Sequence, residues 1–123
     1  MATNPDAVCP TDKPTVLPDC GSICKLLAHA TGREPDAVLG KPAPAMLDGV
    51  LRRHGLSASQ VAVVGDRLYT DMAMARAAGA VGVLVLSGEA TRQQADAADP
   101  PPDFVVQDVA ELAELLSAAR RCA

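Results

Sequence analysis

The segment from Gln60 to Gly79, QVAVVGDRLYTDMAMARAAG, reads as a buried strand, a tight turn carrying an aspartate, and a helix. Val61, Ala62, Val63 and Val64 form a short apolar run rich in β-branched residues and closed by Gly65, the pattern of a parallel strand covered on both faces. Asp66 therefore stands at the carboxyl end of a strand, where open α/β sheets bind ligands and where a metal or a phosphate would be handled. Thr70 is expected to cap the following helix, and Asp71 in its first turn complements the positive end of the helix dipole. The dipole alone is a complete structural reason for Asp71, so from the residues themselves an architectural and a chemical role both stand.

Outward from this segment the chain alternates helix and strand. Val81 to Leu86 is a second buried strand, followed by Ser87-Gly88. Glu89 to Pro102 is polar and ends in three prolines; a helix over Arg92 to Ala97 is marginal, and the prolines enforce an extended approach to Phe104-Val105-Val106. Asp108 caps a closing helix through about Ala119 with Val109, Leu112, Leu115 and Leu116 inward. Upstream, Pro44 suits a first helical turn, and Met46, Leu47, Val50, Leu51 and His54 repeat at helical spacing until Gly55. Asp36 to Leu39 reads as a strand that places Lys41 at its carboxyl end. Asp19 caps a helix from about Gly21 to Ala30 with Ile23, Leu26, Leu27 and Ala30 on one face, closed at Thr31-Gly32. Residues Met1 to Pro18 hold turn signals at Asn4-Pro5-Asp6 and Pro10-Thr11-Asp12 and are expected to be irregular.

The 123 residues suffice for one small core, which must be filled by Val, Leu, Ala and Met because aromatics make up only 2%. A net charge of -4 with scattered Lys and Arg argues against a nucleic-acid partner. No apolar run approaches a membrane span and the start lacks a signal-peptide core, so no membrane partner and a cytoplasmic location are expected. Cys9, Cys20, Cys24 and Cys122 lack zinc-site spacing and read as buried or free thiols. His29 and His54 fall near helix ends, where dipole-complementing surface histidines are common.

Gly40-Lys41-Pro42 followed by Gly65-Asp66-Arg67-Leu68-Tyr69-Thr70-Asp71 resembles the third and fourth motifs of the haloacid dehalogenase-like phosphatases. With Thr3-Asn4-Pro5-Asp6, Thr31 to Pro35 and Leu84 to Gly88, the chain is similar to the class IIA branch, which contains 4-nitrophenyl, phosphoglycolate, pyridoxal and ribonucleotide phosphatases. The resemblance implies an α/β fold with a Rossmann-like parallel sheet. It also implies attack of an aspartate on a phosphomonoester of a small metabolite, with Mg²⁺ neutralising the oxygens. On that resemblance Lys41 neutralises phosphate and nucleophile charge, Asp66 is the magnesium ligand, and Asp71 orients its neighbours. Arg67, Leu68, Tyr69 and Thr70 border the phosphate site, and Asn4 and Asp6 belong to the rim between core and cap.

The chain departs from that pattern in one respect. The family's nucleophile and general acid come from an Asp-x-Asp motif, and no Asp-x-Asp occurs in this sequence. The chain thus reads as the carboxyl-terminal portion of a phosphatase, with residues 1–18 ending the cap junction and 19–123 continuing the core, and it is expected to be an inactive fragment. Two other readings compete: an anion-binding or subunit-pairing module without catalysis, and a response-regulator-like domain, which the lack of an acidic pair before Gly65-Asp66 disfavours. A strand as apolar as Val61 to Val64, deprived of neighbours, predicts self-association.

Overall fold

In a computed structural model that describes residues 1–122, the apolar runs assemble into a parallel sheet of three strands, β3 (Ala62–Gly65), β4 (Val81–Val85) and β5 (Phe104–Val106), in the order β3-β4-β5. Val63 lies opposite Gly82, and Leu84 opposite Val105. Because successive side chains alternate across a strand, β4 divides its residues between two faces. Val83 and Val85 pack with Val106 and with Leu112 of helix α5 (Val109–Cys122), while Leu84 packs with Met72, Ala90 and Ala95 on the other face. Leu84 is fully buried, a burial worth about 2 kcal/mol. Gly82 lets helix α3 (Ala73–Ala78) lie close: a Cβ there would stand 3.1 Å from Met72 Sδ and 3.4 Å from the Ala75 Cβ.

The polar connection between β4 and β5 is more ordered than its composition predicts. Helix α4 (Arg92–Asp96) forms because Thr91 and Gln94 cap each other: Thr91 N donates to Gln94 Oε1 (2.8 Å) and Gln94 N to Thr91 Oγ1 (3.3 Å). The proline run after it is tied down by Arg76, whose guanidinium donates to the Pro100 carbonyl at 2.6 Å. Gly82 N donates to Asp103 Oδ2 at 2.7 Å just ahead of β5.

The amino-terminal residues are not irregular. Strands β1 (Val8–Pro10) and β2 (Val16–Pro18) pair antiparallel, and their loop closes on Thr11, whose hydroxyl donates to the Thr15 carbonyl (2.6 Å) and accepts from Lys13 N (3.1 Å). Turn residues mask such a three-residue pairing in the sequence. Helix α1 (Cys20–Thr31) starts on Asp19, whose carboxylate accepts from Cys20 N at 2.6 Å, and ends at Gly32 with φ 69°. Ile23, Leu26 and Leu27 on it are exposed. Residues Asp36 to Leu39 do not form a full strand. Ala2 N donates to Ala37 O and Leu39 N to Ala2 O, both at 2.8 Å, making one parallel bridge between Ala2 and Val38 before the turn at Asn4-Pro5 carries the partner away.

Helix α2 (Ala45–His54) forms where the helical spacing predicts, with Leu47 against the cluster of Val63, Met74, Ala75 and Ala80, but Met46 and Val50 stay exposed. Val109, Leu115 and Leu116 of α5 are also exposed rather than inward, while Leu112 packs against Val83, Val85 and Val106. Among the described residues the far edge of β3 carries no strand, and Val64 remains 43% exposed. Among the described residues no helix is long and apolar enough to cross a membrane.

Candidate functional site at the carboxyl end of the sheet

Strand β3 ends at Gly65, and the chain then turns through Asp66 and Arg67 into a π-helical turn, Leu68–Met72, that runs directly into α3. Thr70 is therefore inside the turn rather than at a helix cap, and the position before the turn belongs to Arg67. The wide turn brings Asp71 back beneath the strand end: Arg67 N donates to Asp71 Oδ2 at 3.2 Å. Gly65 is required here, because a Cβ on it would collide with the Asp71 carboxylate.

Asp71 is 3% exposed, and burying a carboxylate demands a countercharge. Lys41 supplies it, its Nζ 2.8 Å from Asp71 Oδ1 with the lysine still half-exposed. Lys41 is delivered by Gly40, whose φ of 90° and close approach to the Thr3 carbonyl and to Asn4 admit no side chain. The turn at Thr3 to Asp6 thus lies against the lysine loop. Within it Asn4 Oδ1 accepts from Asp6 N (3.0 Å) and Asn4 Nδ2 donates to Asp19 (3.4 Å), so Asn4 fastens the turn to the start of α1.

Asp66 is held from the neighbouring parallel strand. Glu89 N donates to Asp66 Oδ2 at 2.9 Å and Ala90 N to the Asp66 carbonyl at 3.0 Å, while a Cβ on Gly88 would strike the Asp66 carboxylate. Glu89 also joins two residues of the turn: its carboxylate lies 2.7 Å from Arg67 Nε and accepts from the Tyr69 hydroxyl at 3.0 Å. Partial burial opposes the Arg67 charge, but Glu89, Tyr69 and Asp66 together outweigh it and the guanidinium pKa is raised. Desolvation first, and then the Glu89 hydrogen bond, push the Tyr69 phenol up. Leu68 turns the other way, into the apolar cluster around Leu84. Thr70 Oγ1 is buried without a hydrogen-bond partner among the described residues.

The site so built joins Lys41, Asp66, Asp71, Arg67 and Tyr69 at one end of the sheet, with Asn4 and Asp6 on the adjoining turn. Gly88 and Glu89 were missed by sequence reasoning about the site. The signal for them is positional, since the loop after β4 lies beside the loop after β3 in any parallel pair. Hard oxygen donors are the right chemistry for Mg²⁺, which is commonly held by one or two carboxylates with retained water, and Asp66 fits as one such ligand. Among the described residues no group of three or more His, Cys, Asp or Glu converges on a single point.

The parallel α/β sheet thus carries a strand-end carboxylate and, five residues on, a second aspartate paired to a lysine. Residues 38–112 match the family model described as HAD-hydrolase-like, and the chain belongs to that family. It is 35% identical over 117 residues to a 4-nitrophenylphosphatase of Schizosaccharomyces pombe, covering 93% of this chain and 39% of the relative. A solved 4-nitrophenylphosphatase of Thermotoga maritima superposes with a TM-score of 0.81 at 42% identity, covering 90% of this chain and 42% of that one. A magnesium complex of a glycerol phosphate phosphatase of Mycobacterium tuberculosis gives a TM-score of 0.75 at 39% identity, covering 89% and 32%. The chain thus spans about two fifths of the length of relatives it matches.

Proposed function

We propose that this chain is the metal- and phosphate-binding part of the catalytic core of a Mg²⁺-dependent phosphomonoester phosphatase acting on a small phosphorylated metabolite. In this reading residues 19–123 belong to the core and residues 1–18 lead toward a cap. The observation that carries it is the Lys41 to Asp71 ion pair of 2.8 Å beside the strand-end Asp66. Asp71 fixes the lysine ammonium, a point charge suited to a phosphoryl group whose charge spreads over several oxygens. Asp66, held by the Glu89 amide, would bind Mg²⁺, which supplies charge neutralisation at the phosphoryl oxygens. Arg67 and Tyr69 are clamped by Glu89 and border the entrance.

A covalent aspartyl intermediate needs a nucleophile, and no Asp-x-Asp is present in the sequence. The isolated chain is therefore inactive by itself, and the test has two arms. With Mg²⁺ and 4-nitrophenyl phosphate the pure chain gives no turnover above background; Mg²⁺-dependent hydrolysis lost in Asp66→Ala would overturn the inactive assignment. In the second arm Mn²⁺, replacing Mg²⁺, broadens the ³¹P resonance of inorganic phosphate in the presence of the chain. The protein-dependent broadening is lost in Asp66→Ala and reduced in Lys41→Ala. Equal broadening by all three proteins would remove the site assignment.

A further inference from the structure

The geometry points to a redox-active dithiol, Cys20 and Cys24, one turn apart at the start of α1, as a modification site that a hydroperoxide converts to an intrahelical disulfide. Their sulfurs lie 4.0 Å apart, and neither cysteine is fully buried. Cys24 lines a cleft of about 430 Å³ together with Asn4, Gly21 and Lys25, and Cys20 beside it is only partly buried, which leaves its sulfur within reach of a small oxidant. Cys20 is the first residue of a twelve-residue helix, where the helix dipole favours a thiolate. The Thr3 hydroxyl and the Asn4 and Thr3 backbone amides around its sulfur bring the thiol down from 9.0 to about 7. Cys24 is shifted the opposite way, first by desolvation and then by Cys20. One thiol is thus suited to attack and the other to resolve.

The chemistry balances in two steps. The Cys20 thiolate attacks the hydroperoxide, the O–O bond breaks, sulfur gains one oxygen as a sulfenic acid, and an alcohol or water leaves. Cys24 then displaces that oxygen as water, forming the S–S bond, so the dithiol loses two electrons and the peroxide gains them.

The helix start must give way for the bond to close. Neighbours one turn apart hold their Cβ atoms about 5–6 Å apart, whereas a disulfide needs about 3.5–4.5 Å. That first turn is fastened to the amino-terminal turn: Gly21 N donates to Asp6 O (2.8 Å), Ser22 Oγ to Ala7 O (2.6 Å) and Asn4 Nδ2 to Asp19. Oxidation therefore loosens the turn that packs against Gly40, immediately before Lys41.

The test uses the full chain carrying Cys9→Ser and Cys122→Ser, which leaves only this pair. Brief exposure to hydrogen peroxide at neutral pH is expected to lower the mass of the monomer by two hydrogens, reversibly with dithiothreitol. Adding Cys24→Ser is expected to give instead a dimedone adduct on Cys20. At pH 7 the lowered thiol should be alkylated roughly three-fold faster than a model peptide thiol, after the thiolate gain is offset by weaker nucleophilicity. Hydrogen exchange at amides 19–23 should quicken in the oxidised form. Two unchanged thiols, a dimedone adduct that persists with Cys24 present, or a disulfide between two chains would each overturn the assignment.

Discussion

Among the described residues the Thr70 hydroxyl is buried with nothing to bond, and leaving such a group unsatisfied costs stability. Thr70→Val keeps the shape and removes the unsatisfied group, so stability in urea should rise by about 1 kcal/mol; a loss of that size would mean the hydroxyl has a partner. Asp71 has the opposite balance, since it both pairs with Lys41 and accepts from Arg67 N. Asp71→Ala should cost about 2 kcal/mol and Asp71→Asn roughly half, because the amide still accepts and half-exposed Lys41 regains water. Equal losses for the two variants would show that the charge, not the acceptor, matters. The position of Asp66 is legible in the sequence because it is set by the apolar run Val61 to Val64; that of Lys41 is not, since residues 36–39 form only one bridge, to Ala2, and Asp71 reaches the lysine through a π-helical turn. The burial of Thr70 is not, since a Thr-Asp pair after a glycine turn reads equally well as a helix cap.

At the scale of elements, glycine separates two kinds of constraint. Gly79 has φ 72° and open space around it, so Gly79→Ala should cost about 1 kcal/mol of backbone strain. Gly65 and Gly88 lie under the Asp71 and Asp66 carboxylates, so alanine at either should cost about 1–3 kcal/mol by overpacking and also abolish the Mn²⁺-dependent ³¹P broadening. Urea titration of all three variants separates them, and a Gly88→Ala protein with intact broadening would show that Asp66 can move aside. The strands β3, β4 and β5 and helices α1, α2 and α5 were legible because hydrophobic periodicity and caps agree there. The hairpin was not, because three-residue strands with exposed side chains carry no periodic signal, and the expected strand at 36–39 lacks a ladder partner beyond Ala2.

At the scale of the molecule, β3 presents an edge unpaired among the described residues, with Val64 exposed on it and Leu115 and Leu116 exposed on α5. Sedimentation velocity should therefore show concentration-dependent association, and Val64→Lys should reduce it, as a charge on an edge strand does. A monomer at every concentration would end that expectation. Among the described residues, Lys41 to Asp71 is the only side-chain polar link between residues 1–60 and the sheet with its helices. The lysine that would greet an anion is thus the same one that clasps the two parts together. An ammonium has three N–H donors, so Lys41 can keep its contact with Asp71 and still offer a donor to an arriving phosphate. Anion site and clasp therefore turn on one pin, and raising ionic strength, which screens both contacts, weakens them together.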